Sequence, residues 1–334
     1  MLPFLIHSLS VRPGSIASTA LDVPAAGDES GTSIPITVIH GTSEGPVLAL
    51  VAGIHGMEYA PIVALQRLRH AIDAQTLRGT IVMVHVANMP SFLGRTIYYS
   101  PIDGKNLNRV FPGSPAGTIS DRIAHALTHE IVSRATHLVD LHGGDGNESL
   151  RPYAYWITTG APAVSDISRE MAVAFGLDRI VVDHDRPTDP GASMYLSNTA
   201  ITRGKPAITT ECGCLGEVSN DAIRLIERGV AGVLRFLGMR DEGPLPLAEP
   251  KWITRDVVIR AKTTGLFFPA VEREQVVREG ASLGRVTDFH GVLLEDVRAP
   301  FAGEILYVVA TPPITEGEPL VMVGHLSSTF ERNG

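Results

Sequence analysis

The chain has 334 residues, 44% of them hydrophobic and 19% charged, with a formal net charge of -8. That length supports a sizeable core in one large domain or two, and the acidic balance offers no basic footprint for a nucleic acid and little attraction to an anionic membrane surface. No apolar run approaches the roughly 18 residues of a membrane span, and the N-terminus Met1-Leu-Pro-Phe-Leu-Ile-His7 has neither the basic flank nor the apolar length of a signal peptide, so a cytoplasmic protein is expected.

In chain order, residues 1–46 are rich in Pro, Gly, Ser and Thr and predict an antiparallel edge region. Residues 47–52 form an unbroken apolar run, the pattern of a strand buried on both faces. Ile62, Leu65, Leu68 and Ile72 recur at helical spacing over 61–72, and 80–86 read as a second buried strand. A long polar segment follows at 88–117, with turn signals at Asp103-Gly104 and Pro112-Gly113; ordered segments of this length are usually functional. A helix is predicted over 120–134 with Ser120 as its cap, then a strand over 137–142 that runs into Gly143-Gly144. A helix near 162–175, a strand at 179–182, a helical turn near 192–203 and a strand at 206–211 come next. Residues 221–237 form the clearest helix, with Ile223, Ile226, Val230, Val233 and Leu237 on one face. Strands alternating with helices predict an α/β fold with a mixed sheet flanked by helices.

The pattern changes across 238–250, where Gly-Pro-Leu-Pro and Glu-Pro mark a linker at 241–250 between a catalytic domain at 1–240 and a small all-β domain at 251–330. Two pieces of the latter look alike, each an apolar strand, a Glu-Gly turn (Glu279-Gly280, Glu316-Gly317) and a second apolar strand. This resembles the barrel-sandwich of lipoyl and biotinyl carriers. The matching turn, Asp288-Phe-His-Gly291, has no lysine, so the architecture is expected without the modification.

The chemistry-bearing residues gather at predicted strand ends. His55 and Glu58 follow the first buried strand, beside Gly53 and Gly56; alone, the pair reads equally as a surface turn. His142 ends another strand and completes a His₂Glu set, a known ligand set of catalytic zinc with a fourth position open to water. Zinc lowers the pKa of that water to about 7. Asp140 lies on the same side of its strand as His142, where it either orients that ligand or pairs with a nearby Arg or backbone N–H. Glu211 ends a third strand, where it suits proton transfer as general base and acid or reads as a surface residue. Asn108 and Arg109, in Asn106-Leu-Asn-Arg109, offer an amide and a planar guanidinium for a carboxylate or a developing oxyanion.

Taken in order, Gly53-Ile-His55-Gly-Met-Glu58, Asn106-Leu-Asn108-Arg109, Asp140-Leu-His142 and Thr210-Glu211 resemble the motifs of the succinylglutamate desuccinylase/aspartoacylase family, a branch of the zinc carboxypeptidase fold. The likeness covers most of 45–237, and the C-terminal β region fits it too. The resemblance implies one zinc per chain, held by His55, Glu58 and His142, with Glu211 as general base and acid. It implies a small-molecule N-acyl amino acid as partner, bound by Asn108 and Arg109, with hydrolysis of its amide bond. Tyr195 is a further substrate-contact candidate, and a homo-oligomer is left open. The stretch from Ser100 to Gly113 is most similar to the N-acetyl-diaminobutyrate deacetylase branch; where the aspartoacylase branch has a further substrate arginine, this chain has Ser100-Pro101.

Other patterns carry less. His125 and His129 share a helical face, but Glu130 follows the second His and points elsewhere. Gly-x-Ser-x-Gly occurs at 41–45 and 280–284, in neither case between a strand and a helix. Cys212 and Cys214 are too close in sequence for an unstrained disulfide. A metallocarboxypeptidase acting on short peptides and a non-catalytic small-molecule binding protein are the alternative readings.

Overall fold

Apolar runs without polar alternation belong at the centre of a sheet covered on both faces, and that is where they lie in this computed structural model, which describes residues 1–241 and 249–327. The N-terminal strands are β1 (Phe4–Ile6), β2 (Leu9–Val11), β3 (Ser15–Val23), β4 (Thr32–His40) and β5 (Ser43–Ala52). Then come α1 (Tyr59–Ala71), β6 (Arg78–Val84), α2 (Met89–Gly94), α3 (Ile119–Ala126), β7 (His137–His142), β8 (Glu148–Leu150) and β9 (Tyr153–Ile157). They are followed by α4 (Pro162–Phe175), β10 (Arg179–Asp183), α5 (Leu196–Ile201), β11 (Ala207–Glu211) and α6 (Asn220–Phe236). The C-terminal part holds β12 (Lys251–Arg260), β13 (Gly265–Pro269), β14 (Val276–Val277), β15 (Ser282–Thr287), β16 (Leu293–Arg298), β17 (Gly303–Val309), β18 (Pro313–Ile314) and β19 (Pro319–Ser327).

One mixed sheet runs in the order β14-β17-β19-β12-β10-β9-β11-β7-β5-β6-β4-β3, with β8 paired to β17. The strand β5 shows how period two distributes the core. Leu48, Leu50 and Ala52 pack with α1, α4 and α6 on one face, while Ala49 and Val51 pack with α3 and α5 on the other. The predicted stripe of α6 is buried as expected, with Ile223, Ile226, Val230 and Val233 all at 0% exposure.

Two local expectations change. The helix expected from Ser120 begins at Ile119, with Thr118 as its cap residue, because the Asp121 carboxylate reaches back to accept from the Thr118 N–H at 2.9 Å. The Ser120 hydroxyl turns inward and donates to Asp103 at 2.9 Å. Beyond Ala126 the course continues as a π-helical turn, Leu127–Val132. The strands β8 and β9 differ from expectation; β8 has three residues, two of them polar, and β9 carries tyrosines and a tryptophan rather than a clean apolar run.

The C-terminal strands do two things. β12 pairs in parallel with β10 and so extends the large sheet, while β16-β15-β13-β18 form a second, four-stranded antiparallel sheet. Phe267, Val286, Val297, Ile305 and Val321 fill the core of this region. The linker expected at 241–250 falls largely on residues 242–248, outside the described residues. Among the described residues, no helix is long and apolar enough to cross a membrane.

Candidate metal centre and substrate cavity

Three neighbouring strands, β11, β7 and β5, run parallel, so their carboxyl ends reach one edge of the sheet. Glu211 lies opposite His142, and Leu141 opposite Ala52, in register. The chain leaves β5 through Gly53 at φ 72°, where a Cβ would meet Val86 Cα at 3.0 Å. Only glycine fits that exit, which leads to His55 and, at the start of α1, Glu58.

Both histidines present Nδ1 to Glu58. His55 Nδ1 is 2.7 Å from Glu58 Oε1, and His142 Nδ1 is 2.9 Å from Oε2. The three ligand atoms lie within 4.8 Å of one another. The opposite ring nitrogens face oxygens, His55 Nε2 the Asn106 Oδ1 at 3.2 Å and His142 Nε2 the Asp140 Oδ1 at 3.1 Å. At His55 the Asn106 acceptor places a proton on Nε2 and leaves Nδ1 for the centre. At His142 Nε2 meets the Asn108 Nδ2 amide at 3.4 Å, and the Asp140 carboxylate, which makes no hydrogen bond among the described residues, stands beside it as a charge. The buried Glu58 Oε2 makes no hydrogen bond among the described residues despite its close approach to His142, so the angle does not suit a proton. Two imidazole nitrogens and an orphaned carboxylate oxygen fit a divalent cation of the zinc type.

The electrostatics agree with that reading. Burial alone would raise the Glu58 carboxyl, but His142 and His55 outweigh it and lower it to about 2. Burial pulls down both imidazoles, yet the Glu58 carboxylate beside them raises both, and Asp140 raises His142 further. In the absence of metal, positive charge is therefore held at this point as protons on imidazole, which a metal must displace.

Beside the centre is a cavity of about 390 Å³, lined by His55, Glu58, Arg109, Glu148, Glu211 and several tyrosines. Burial raises Glu211 well above the usual carboxylate range, against the pull of His142. Arg109 donates to the Asn108 carbonyl at 2.7 Å and has no carboxylate partner among the described residues. Asn108 and Tyr195 stand behind Arg109 and do not line the wall. Asn108, 7% exposed, accepts from the Leu196 N–H at 2.9 Å, and the Tyr195 ring lies 4.7 Å from the Arg109 guanidinium and 3.7 Å from that of Arg186. The rings of His125 and His129 lie 4.1 Å apart, tilted by 45°, on the π-helical segment and its approach, and neither lines the cavity.

Sequence reasoning did not reach Tyr98, Asp145, Glu148, Tyr155, Arg260 or Tyr307. Asp145 and Glu148 had a usable signal, since they directly follow the glycines after His142. Arg260 and Tyr307 had none, because β12 and β17 bring them across from the C-terminal part.

A family model described as succinylglutamate desuccinylase/aspartoacylase catalytic domain matches residues 44–237, more than half the chain. The chain belongs to the succinylglutamate desuccinylase/aspartoacylase family. Within the family it is 29% identical over 338 aligned residues to the N-alpha-acetyl-L-2,4-diaminobutyric acid deacetylase of Halomonas elongata, covering 94% of this chain and 96% of the relative. The product-bound structure of the ectoine utilization protein EutE (DoeB) from Ruegeria pomeroyi superposes with a TM-score of 0.84 at 27% identity, over 97% of this chain and 99% of that one. A succinylglutamate desuccinylase/aspartoacylase from Rhodobacter sphaeroides gives a TM-score of 0.80 at 25% identity, over 93% and 96%. Family membership accounts for the order of the four motifs along the chain.

Proposed function

We propose that the protein hydrolyses the amide bond of a small N-acyl amino acid, with zinc held by His55, Glu58 and His142. The observation that carries this reading is the convergence of two Nδ1 atoms and an orphaned, buried carboxylate oxygen within 4.8 Å, beside a cavity lined by a guanidinium without a carboxylate partner among the described residues and by a half-buried glutamate. A zinc ion there supplies Lewis acidity and a water acidic enough to react at neutral pH.

The chain's own groups do the rest. Asn106 accepts from His55 Nε2 and orients that ring, and the Asp140 carboxylate 3.1 Å from His142 Nε2 favours positive charge on the second ring. Glu211 takes a proton from the attacking water and returns it to the leaving nitrogen; its raised carboxyl lies nearer neutral pH than an ordinary one, which suits a group that must both accept and give a proton. Arg109 holds the substrate carboxylate next to the reacting carbonyl and stabilises charge that grows on its oxygen. Asn108 and Tyr195 brace it from behind, through the Leu196 N–H and the ring face. A cavity of about 390 Å³ suits an acylated amino acid better than an extended peptide.

The Halomonas relative's name makes Nα-acetylated diamino acids the first substrates to test. Metal analysis should find one zinc per chain. A panel of N-acetyl, N-succinyl and N-formyl amino acids should be hydrolysed, with activity lost to a chelator and restored by zinc. A metal-free, folded preparation that retains full turnover overturns the reading.

A further inference from the structure

The cavity wall carries both signs of charge. Arg109 and Arg260 line it as cations, Arg109 without a carboxylate partner among the described residues. Glu148 lines the same wall. Its Oε1 accepts from the Tyr98 hydroxyl at 2.7 Å and its Oε2 from the Asp145 N–H at 3.2 Å. Each oxygen keeps a free lone pair, and no cationic side chain pairs with Glu148 among the described residues. Asp145, 1% exposed, is close behind and accepts from the Tyr98 N–H at 3.0 Å and the Gly146 N–H at 2.8 Å.

The His55 imidazole pulls Asp145 down, whereas Glu148 has no ion-pair partner among the described residues. Burial raises Glu148 to about 7 even though the Tyr98 hydrogen bond pulls it down, and burial raises Asp145 to about 6. A buried carboxylate is costly unless a cation meets it. Tyr98 sits at φ 58°, a backbone conformation uncommon for a tyrosine, and its ring is edge-on to His55 at 6.3 Å. The strained residue therefore places the Tyr98–Glu148 pair directly beside the metal ligands. Tyr155 and Tyr307 add aromatic wall to the same cavity, surfaces that favour an ammonium group over an anion.

We propose that Glu148, held by Tyr98, is the specificity residue of this cavity and selects N-acyl amino acids whose side chain ends in an ammonium group, while Arg109 takes the α-carboxylate. The inference rests on the deacylase reading. It goes beyond it by assigning the side-chain subsite to residues outside the family motifs quoted above.

The experiment compares zinc-loaded wild type, Glu148→Gln and Tyr98→Phe on three substrates: Nα-acetyl-2,4-diaminobutyrate, Nα-acetylnorvaline and N-acetylaspartate. Wild type should favour the cationic over the neutral substrate by at least about 10-fold in kcat/KM, and Glu148→Gln should abolish most of that ratio, chiefly through KM. Tyr98→Phe should reduce the ratio by a few fold, and it keeps the test alive should Glu148→Gln fail to fold. A wild type that prefers acetylaspartate overturns the proposal. So does a Glu148→Gln enzyme that loses activity on all three substrates in equal proportion. Calorimetric binding of free 2,4-diaminobutyrate and norvaline separates the two levels. If no acylated substrate is hydrolysed, the deacylase reading falls, yet tighter binding of diaminobutyrate to wild type than to Glu148→Gln still supports the subsite, and equal binding of both amino acids to wild type removes it.

Discussion

Glu58, buried, and Glu211, half-buried, line one cavity, yet their surroundings push them in opposite directions. Glu58 has an imidazole against each oxygen and is held low; Glu211 meets burial and the negative charges of Glu58, Glu148 and Asp140, and is held high. In the proposed mechanism this separates the ligand that must stay ionised from the group that must exchange a proton. Glu211→Gln should lower kcat by about 10³-fold while metal analysis still finds zinc bound, because only the proton shuttle is lost. Glu148 gives a pH prediction for the metal-free protein. Its carboxyl is raised from 4.5 to about 7 by burial, so between those values the folded state holds a proton that the unfolded chain has released. Stability then falls as pH rises through that window and levels off above it. Glu148→Gln should flatten that fall by on the order of 2 kcal/mol, read as the difference in urea midpoints between about pH 5 and about pH 8.

At the scale of elements, the turn from β5 into α1 decides whether the ligands meet. It reverses within a few residues because Gly53 takes φ 72° against the Val86 backbone. Gly53→Ala should cost about 1–3 kcal/mol of stability, seen in a thermal scan. It should also weaken zinc binding in a chelator competition, because His55 and Glu58 both lie just past the distorted turn. An alanine variant with unchanged zinc affinity would show that the turn carries backbone strain without setting the ligands. The other two strand ends need no such device, since His142 and Glu211 are terminal strand residues held in register by the sheet.

Across the whole molecule, the C-terminal strands are part of the cavity and not an appendage. β17 pairs with β8, which begins at Glu148, and contributes Tyr307; β12 extends the large sheet and contributes Val258 and Arg260. A buried ion cluster ties these parts together. Glu304 of β17 pairs with Arg151 and, at 2.8 Å, with Arg179 of β10, and Arg151 also reaches Asp178 at 2.8 Å. Removing the central carboxylate leaves two guanidinium groups with reduced compensation. Glu304→Gln should cost about 3 kcal/mol. Because β17 carries Tyr307, the variant should also raise KM while leaving zinc content unchanged. An unaltered KM in a destabilised variant would assign the cluster to folding alone.

The sequence by itself determined the α/β alternation, the buried strands and the identity of the residues at their ends. Those features are local: apolar runs, glycine exits and ligand-type side chains are written within a few residues of one another, and the four short motifs kept the order of their family. Tertiary structure decided which strand ends are neighbours, because β11, β7 and β5 are brought side by side from positions far apart in the chain. It also decided the meeting of Tyr98, Asp145 and Glu148 with the tyrosines that line the same cavity. No periodicity marks residues that meet only when a polar loop folds back over a strand end and the C-terminal strands close the cavity. Charge complementarity in that cavity is a property of contacts between distant segments, and it exists only once the sheet has set their spacing.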